Sequence, residues 1–125
     1  MPFACAVFFP GVCAPGAEHL RDSEPLVGIL EKHKADDGKR YAAVCAAPAV
    51  VLASNGLLPE SGGATCYPAP KFREQLKDPV DEAVAVTGSV TTSQGPGTSL
   101  EFALELGEQL FGKETRDKIQ AEMLL

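Results

Sequence analysis

Short apolar runs alternate with longer amphipathic stretches along the chain, a pattern that predicts an α/β fold around a mostly parallel sheet. Residues 3–9 (FACAVFF) are apolar and partly β-prone, and Pro10-Gly11 stops them. A turn-rich stretch with Pro15-Gly16 follows, and residues 17–21 have room for one helical turn. Next comes a well-marked helix. Ser23 is placed to cap it, and Pro25 fits its first turn, where the amide it lacks would be unpaired anyway. Leu26, Ile29, Leu30 and His33 fall at i, i+3, i+4 and i+7, one helix face. His33 ends that stripe and is expected at the surface or the core boundary. The polar run DDGK (36–39) closes the helix.

Residues 41–44 (YAAV) form a short apolar run of the kind found in a buried parallel strand. Cys45-Ala46-Ala47-Pro48 comes directly after it. Residues 49–53 read as a small-residue helix, and Asn55-Gly56 offers a left-handed stop. Residues 64–67 (ATCY) read as another short strand and 68–76 as a short polar helix or loop. Residues 83–87 and 89–93, either side of Gly88, suggest a hairpin or a bent strand pair, with QGPG (94–97) a tight loop after it. Thr98 and Glu101 have capping-box spacing, and Phe102, Ala103, Leu106 and Leu110 then share a helix face up to Gly112. Residues 113–125 read as a second, more charged helix. No internal repeat, GxGxxG, Walker A loop or HExxH occurs.

At 125 residues the chain is expected to be one domain, and its 45% apolar content can supply a core. Seventeen acidic residues face 11 basic ones, for a net charge of −6. With no basic run, neither nucleic acid nor an anionic membrane is an expected partner. The run 3–9 is too short for a bilayer, which needs about 20 residues, and lacks the basic start of a signal peptide. The chain is therefore expected to be soluble and intracellular. Cysteines stand at 5, 13, 45 and 66, with no CxxC pair and with His19 and His33 distant in sequence. Neither a metal site nor disulfides are expected from this arrangement.

The junction Val44-Cys45-Ala46 is the most informative spot. A side chain there sits at the carboxyl end of a parallel strand, where open α/β sheets bind ligands, on a turn like a nucleophile elbow. A helix N-terminus favours the thiolate, and the amides of Ala46 and Ala47 could hold an oxyanion. The same residue also fits a buried structural thiol, since cysteine is among the most buried residue types. Gly95-Pro96-Gly97 could bind an anion or simply connect strand to helix. Tyr67, at another expected strand end, could offer a hydroxyl to a substrate or pack, and Glu18 is either an acid–base group or a solvated carboxylate.

Four segments carry a family resemblance: APGAEHLRD (14–22), YAAVCAAP (41–48), ATCYP (64–68) and TSQGPGTSLEFA (92–103). They resemble the DJ-1/PfpI family, in particular its plant and algal members, over residues 14–125 and in the family's order. The resemblance implies a flavodoxin-like, class I glutamine amidotransferase-like α/β sandwich and a homodimer. It implies a cofactor-free activity on methylglyoxal and related dicarbonyls or glycated amines, as a glyoxalase or deglycase, and a redox-sensing role for the same cysteine. Cys45 falls on the family nucleophile and Ala46 on a residue whose amide helps form the oxyanion hole. Tyr67 falls where many members have histidine.

Some positions depart from the family pattern. Residues 1–13 read as a divergent segment ahead of a domain at 14–125. No residue matches the glutamate that the family carries on its first strand and helix as acid or base, so a shortened, partial member is expected, with impaired turnover. The family's Pro-Gly-Gly run, whose second glycine gives an oxyanion amide, is here PGVCAP (10–15), leaving Gly11 to fill that role. Gln94 stands where the family often has arginine. In a flavodoxin-like sheet the first strand is central, so residues 3–9 are expected to replace a strand in part, in an aggregation-prone chain. The cytoplasm is the expected location, with chloroplast or nucleus as alternatives. The alternative function is a non-catalytic oxidative-stress sensor or chaperone-like protein using Cys45 as an oxidisable thiol.

Overall fold

A computed structural model describes residues 6–9 and 15–125. Four strands form one sheet in the order β1-β2-β4-β3. They are β1 (Ala6–Phe9), β2 (Arg40–Val44), β3 (Val84–Thr87) and β4 (Val90–Ser93). β1 and β4 both run parallel to β2, and β3 closes the sheet antiparallel to β4. The mostly parallel sheet and the hairpin around Gly88 are as expected. Gly88 has φ 60°, a left-handed turn position that glycine enters without strain. Within residues 3–9, the part 6–9 is a strand that, among the described residues, pairs with β2 and lies at the edge of the sheet. Cys5, Gly11 and Cys13 lie outside the described residues.

The sheet carries helices on both faces. Tyr41, Ala43 and Val90 pack with Leu30 of α2 (Glu24–Ala35) and with Val51 and Leu52 of a helical segment, Pro48–Ala53. Ala42 and Val44 pack on the opposite face with Phe102 of α4 (Ser99–Phe111). The alternation along β2 is the two-residue period of a strand buried on both sides. Before these lies α1 (Gly16–Arg21), a little over the single turn expected. α3 (Pro70–Arg73) lies in the stretch expected to be helix or loop, and α5 (Lys113–Glu122) follows α4 after Gly112.

Tertiary packing revises several local expectations. The segment 48–53 is helical but wound as a π-helix. Residues 64–67 are not a strand: a single bridge joins Ala64 to Pro79. They are held by Ala64 N–H to Asp78 O (3.0 Å) and by Thr65 N–H to Thr92 Oγ1 (3.0 Å). Gly63 (φ 85°) permits this, since a Cβ there would meet Val80 Cγ1 at 2.6 Å. The capping box does not form either. Thr98 Oγ1 instead accepts from Gly95 N–H (3.1 Å) and shares a 2.6 Å hydrogen bond with Ser93 Oγ, because Pro96–Thr98 is a 3₁₀ turn that directs it backward. Leu104, not Ala103, joins Phe102 in the core.

His33 is buried rather than at a boundary, while Ile29 on the same stripe is 45% exposed. The His33 Nδ1–H donates to Ile29 O at 2.9 Å, one turn back along the helix. That local bond satisfies half the imidazole and lets the ring enter the core. Among the described residues no helix is long and apolar enough to cross a membrane.

Candidate active site

β2 and β4 end in register, Val44 opposite Ser93, and the chain turns sharply at the next residue. Cys45 has φ 66°, a left-handed conformation that costs a non-glycine residue about 1–3 kcal/mol unless its surroundings enforce it. They do so from two sides. The Cys45 N–H donates to Ser93 O (3.1 Å), and the Cys45 carbonyl accepts from Tyr67 N–H (2.8 Å). The turn is thus fixed by β4 on one flank and the 64–67 segment on the other. The Cys45 side chain is 9% exposed and packs with Ala42, Val44 and Phe102.

Ala46 and Ala47 lead straight into the π-helical segment, whose first bonds run from Ala49 and Val50 N–H to Ala46 O (3.1 and 2.9 Å). Amides at a helix start lie ahead of the intrahelical bonds. Six π-wound residues form only a short dipole, so the local amides rather than a long helix axis act at this corner. Ala46 lines a cleft of about 220 Å³ with Glu18 and Arg21 of α1 and with Lys71, Phe72 and Gln75.

Tyr67 stands on the other side of the corner, 46% exposed. Its ring meets Phe72 edge-on at 6.5 Å, and a Cβ on Gly95 would touch it at 3.6 Å. Gln94 Nε2 donates to Asp81 Oδ1 (3.2 Å), and Arg73 pairs with the same carboxylate at 3.6 Å. Gln94 therefore ties the loop before Gly95 to a carboxylate through an uncharged amide.

The fold brings Cys45, Ala46 and Tyr67 together; Glu18 shares with Ala46 a cleft that neither Cys45 nor Tyr67 lines, and Gly11 lies outside the described residues. Three contributors escaped sequence reasoning. Ser93 supplies the carbonyl that clamps the turn, and its hydroxyl donates to Ala83 O at 2.7 Å. Phe102 backs the cysteine; its place in an amphipathic stripe gave no sign of that partner. Cys66 lies beside Cys45 although 21 residues separate them in sequence. Burial pushes the Cys66 thiol up to about 11; Arg73 opposes this shift and Cys45 adds to it. The only sequence signal for this neighbour was the ATCYP motif itself. Among the described residues no group of His, Cys, Asp and Glu is arranged to hold a metal.

A cysteine on a strained strand-to-helix corner, at the carboxyl end of parallel strands, defines a class of α/β proteins with a nucleophile-elbow geometry. The DJ-1/PfpI family model matches residues 5–109, and the chain belongs to that family, with its flavodoxin-like, glutamine amidotransferase-like fold. It is 42% identical over 115 residues to protein DJ-1 homolog A of Arabidopsis thaliana, covering 89% of this chain and 28% of that protein. It is 34% identical over 121 residues to the glutathione-independent glyoxalase DJR-1.2 of Caenorhabditis elegans, covering 95% and 62%. The structure of oxidized Toxoplasma gondii DJ-1 superposes with a TM-score of 0.84 at 42% identity, over 95% of this chain and 63% of that one. The chain thus spans less than two thirds of the length of these relatives.

Proposed function

We propose that this chain is a cofactor-independent, glyoxalase- or deglycase-type protein acting on methylglyoxal, related dicarbonyls or their amine adducts through Cys45. The observation that carries this reading is the φ of 66° at Cys45, held by hydrogen bonds from both sides. Backbone strain enforced in this way belongs to positioned functional groups. The relative named as a glutathione-independent glyoxalase supports the same activity class.

In this mechanism the Cys45 thiolate adds to the aldehyde carbon, and the oxygen becomes an alkoxide held by the Ala46 amide. A base then removes the proton from that carbon, and the electron pair passes toward the neighbouring carbonyl to give an enediolate. Proton return to the neighbouring carbon and its oxygen leaves a hydroxy thioester that water hydrolyses to a hydroxy acid. Proton transfer is the demanding part, since acid–base help contributes about 10²–10⁴-fold. Glu18, which lines a cleft with Ala46, is the first carboxylate to test for it; a phenol such as Tyr67 is a poor base at neutral pH. Turnover is therefore slow in this reading. By the family resemblance we also take the protein to be a cytoplasmic homodimer.

The test is methylglyoxal consumption by the wild type, Cys45→Ser and Glu18→Gln. Loss in Cys45→Ser supports the nucleophile, and a further loss in Glu18→Gln supports the base. Turnover that survives Cys45→Ser overturns the reading. The second reading, an oxidisable sensor thiol, is favoured by the similarity to a DJ-1 structure described as oxidized. It predicts peroxide-dependent mass gain at Cys45 without dicarbonyl turnover.

A further inference from the structure

Two buried thiols meet at the carboxyl end of the sheet. The Tyr67 N–H donates to the Cys45 carbonyl at 2.8 Å, which brings the preceding residue, Cys66, close to Cys45. Ordinary backbone dimensions then hold their Cα atoms roughly 5–7 Å apart, and disulfides form at about 4.4–6.8 Å. Cys66 is 2% exposed and packs with Ala49, Ala64 and Leu76, while Cys45 packs with Ala42, Val44 and Phe102. The thiols thus occupy adjoining clusters on either side of one corner. Cys66 Sγ donates to Tyr67 O at 3.3 Å, a weak bond that little restrains the side chain. The residues around the corner, Ala46, Ala49 and Ala64, are small.

We infer that Cys66 is the resolving partner of Cys45, so that oxidation of Cys45 by a hydroperoxide ends in a Cys45–Cys66 disulfide. The inference rests on Cys45 being the reactive thiol. In the first step the Cys45 thiolate attacks the peroxide O–O bond. A sulfenic acid forms, and the other oxygen leaves as alkoxide or hydroxide and takes up a proton. In the second step the Cys66 sulfur attacks the sulfenyl sulfur. The S–S bond forms, the S–O bond breaks, and the departing hydroxide leaves as water with the proton from Cys66. Two thiols lose two electrons and two protons together, and the hydroperoxide accepts them.

The second step needs the Cys66 thiolate, which burial disfavours. The charged groups acting on Cys66 are Arg73 on α3 and Cys45 itself. Conversion of Cys45 to a neutral sulfenic acid removes the opposing charge. Resolution is therefore slow at neutral pH, and its rate rises about tenfold per pH unit until Cys66 titrates. A second peroxide competes with it, carrying the sulfenic acid on to sulfinic acid.

The experiment treats the full chain with a few equivalents of hydrogen peroxide, enough for two oxidations of one thiol, at about pH 7 and about pH 9.5. Each sample is quenched by alkylation in denaturant and mapped by peptide mass spectrometry without reductant. The expected result is a peptide pair joined through Cys45 and Cys66, released by reductant and more abundant at the higher pH. In Cys66→Ser the pair is lost and Cys45 accumulates as sulfinic acid. Sulfinic acid on Cys45 with no joined pair in the wild type at either pH overturns the inference and leaves Cys45 as the reactive thiol. An unmodified Cys45 overturns both the inference and the proposed function. The wild-type map decides the question even if Cys66→Ser does not fold.

Discussion

Cys45 and Cys66 lie one backbone hydrogen bond apart, yet Cys45 stands on a left-handed corner at φ 66° and Cys66 does not. The corner follows a central strand, leads into a helical segment and is fixed by β4 and by residue 67. The Cys66 segment is a tethered loop, and its thiol is pushed up to about 11 by burial, with Arg73 opposing. Under the proposed function, backbone geometry and neighbouring amides set Cys45 apart from Cys66. Burial, which both thiols share, disfavours the thiolate and does not distinguish them.

The largest effect expected from breaking this contrast is at Cys45. Cys45→Ser should reduce dicarbonyl turnover to background, a loss of at least about a hundredfold, whereas Cys66→Ser should leave most of it. Equal losses in the two variants, measured by initial rates, would erase the distinction. Removal of the backing ring comes next. Phe102→Ala should destabilise the fold by about 3–5 kcal/mol, measured by urea unfolding, because Phe102 is 1% exposed and packs against Ala42, Val44 and Cys45.

Backbone strain sharpens the comparison further. Cys45→Val should be less stable than Cys45→Gly by about 1–3 kcal/mol, since a β-branched residue resists positive φ and glycine accepts it. The same pair of substitutions at Cys66 should reverse in order, because the valine side chain can remain in the apolar cluster.

The smallest effect is a pH dependence. A solvated Cys66 thiol titrates near 9.0, and in the fold it is raised to about 11, so folding favours its neutral form. Its contribution is complete below about pH 9 and is lost as pH rises through 11. Tyr41, pushed up to about 12 by burial, acts with the same sign at slightly higher pH. Thermal melts between pH 8 and 11 should fall for the wild type and fall less for Cys66→Ala. A decline of the same size in Cys66→Ala would show that Cys66 does not contribute.

The fold was legible wherever a residue's burial follows from its own neighbours in sequence. The apolar runs at 41–44 and 89–93, the helical stripe from Leu26 to Leu30 and the stop at Gly112 required only local period and turn chemistry, although Ser23 makes no side-chain cap bond. The position of Cys45 at a strand–helix junction was legible for the same reason. The expected strand at 64–67 failed because a short β-prone run becomes a strand only if a partner offers a ladder. Here the neighbours are Asp78, Val80 and Thr92, which offer single bonds. His33 was misplaced at the boundary because its burial is set by the elements packed over α2, while the bond to the Ile29 carbonyl is local to the helix.

The sequence by itself determined the alternation of elements, the acidic balance and the cysteine at the corner, since each depends on residue type and spacing. Tertiary structure alone decided that Phe102 backs Cys45, that Ser93 and Tyr67 clamp its turn, and that Cys66 becomes its neighbour. These relations join residues 21 to 57 positions apart. They exist only once β2 and β4 have paired and the 64–67 segment has been drawn across their ends, because hydrogen bonds and packing act over a few ångströms of space, not along the chain.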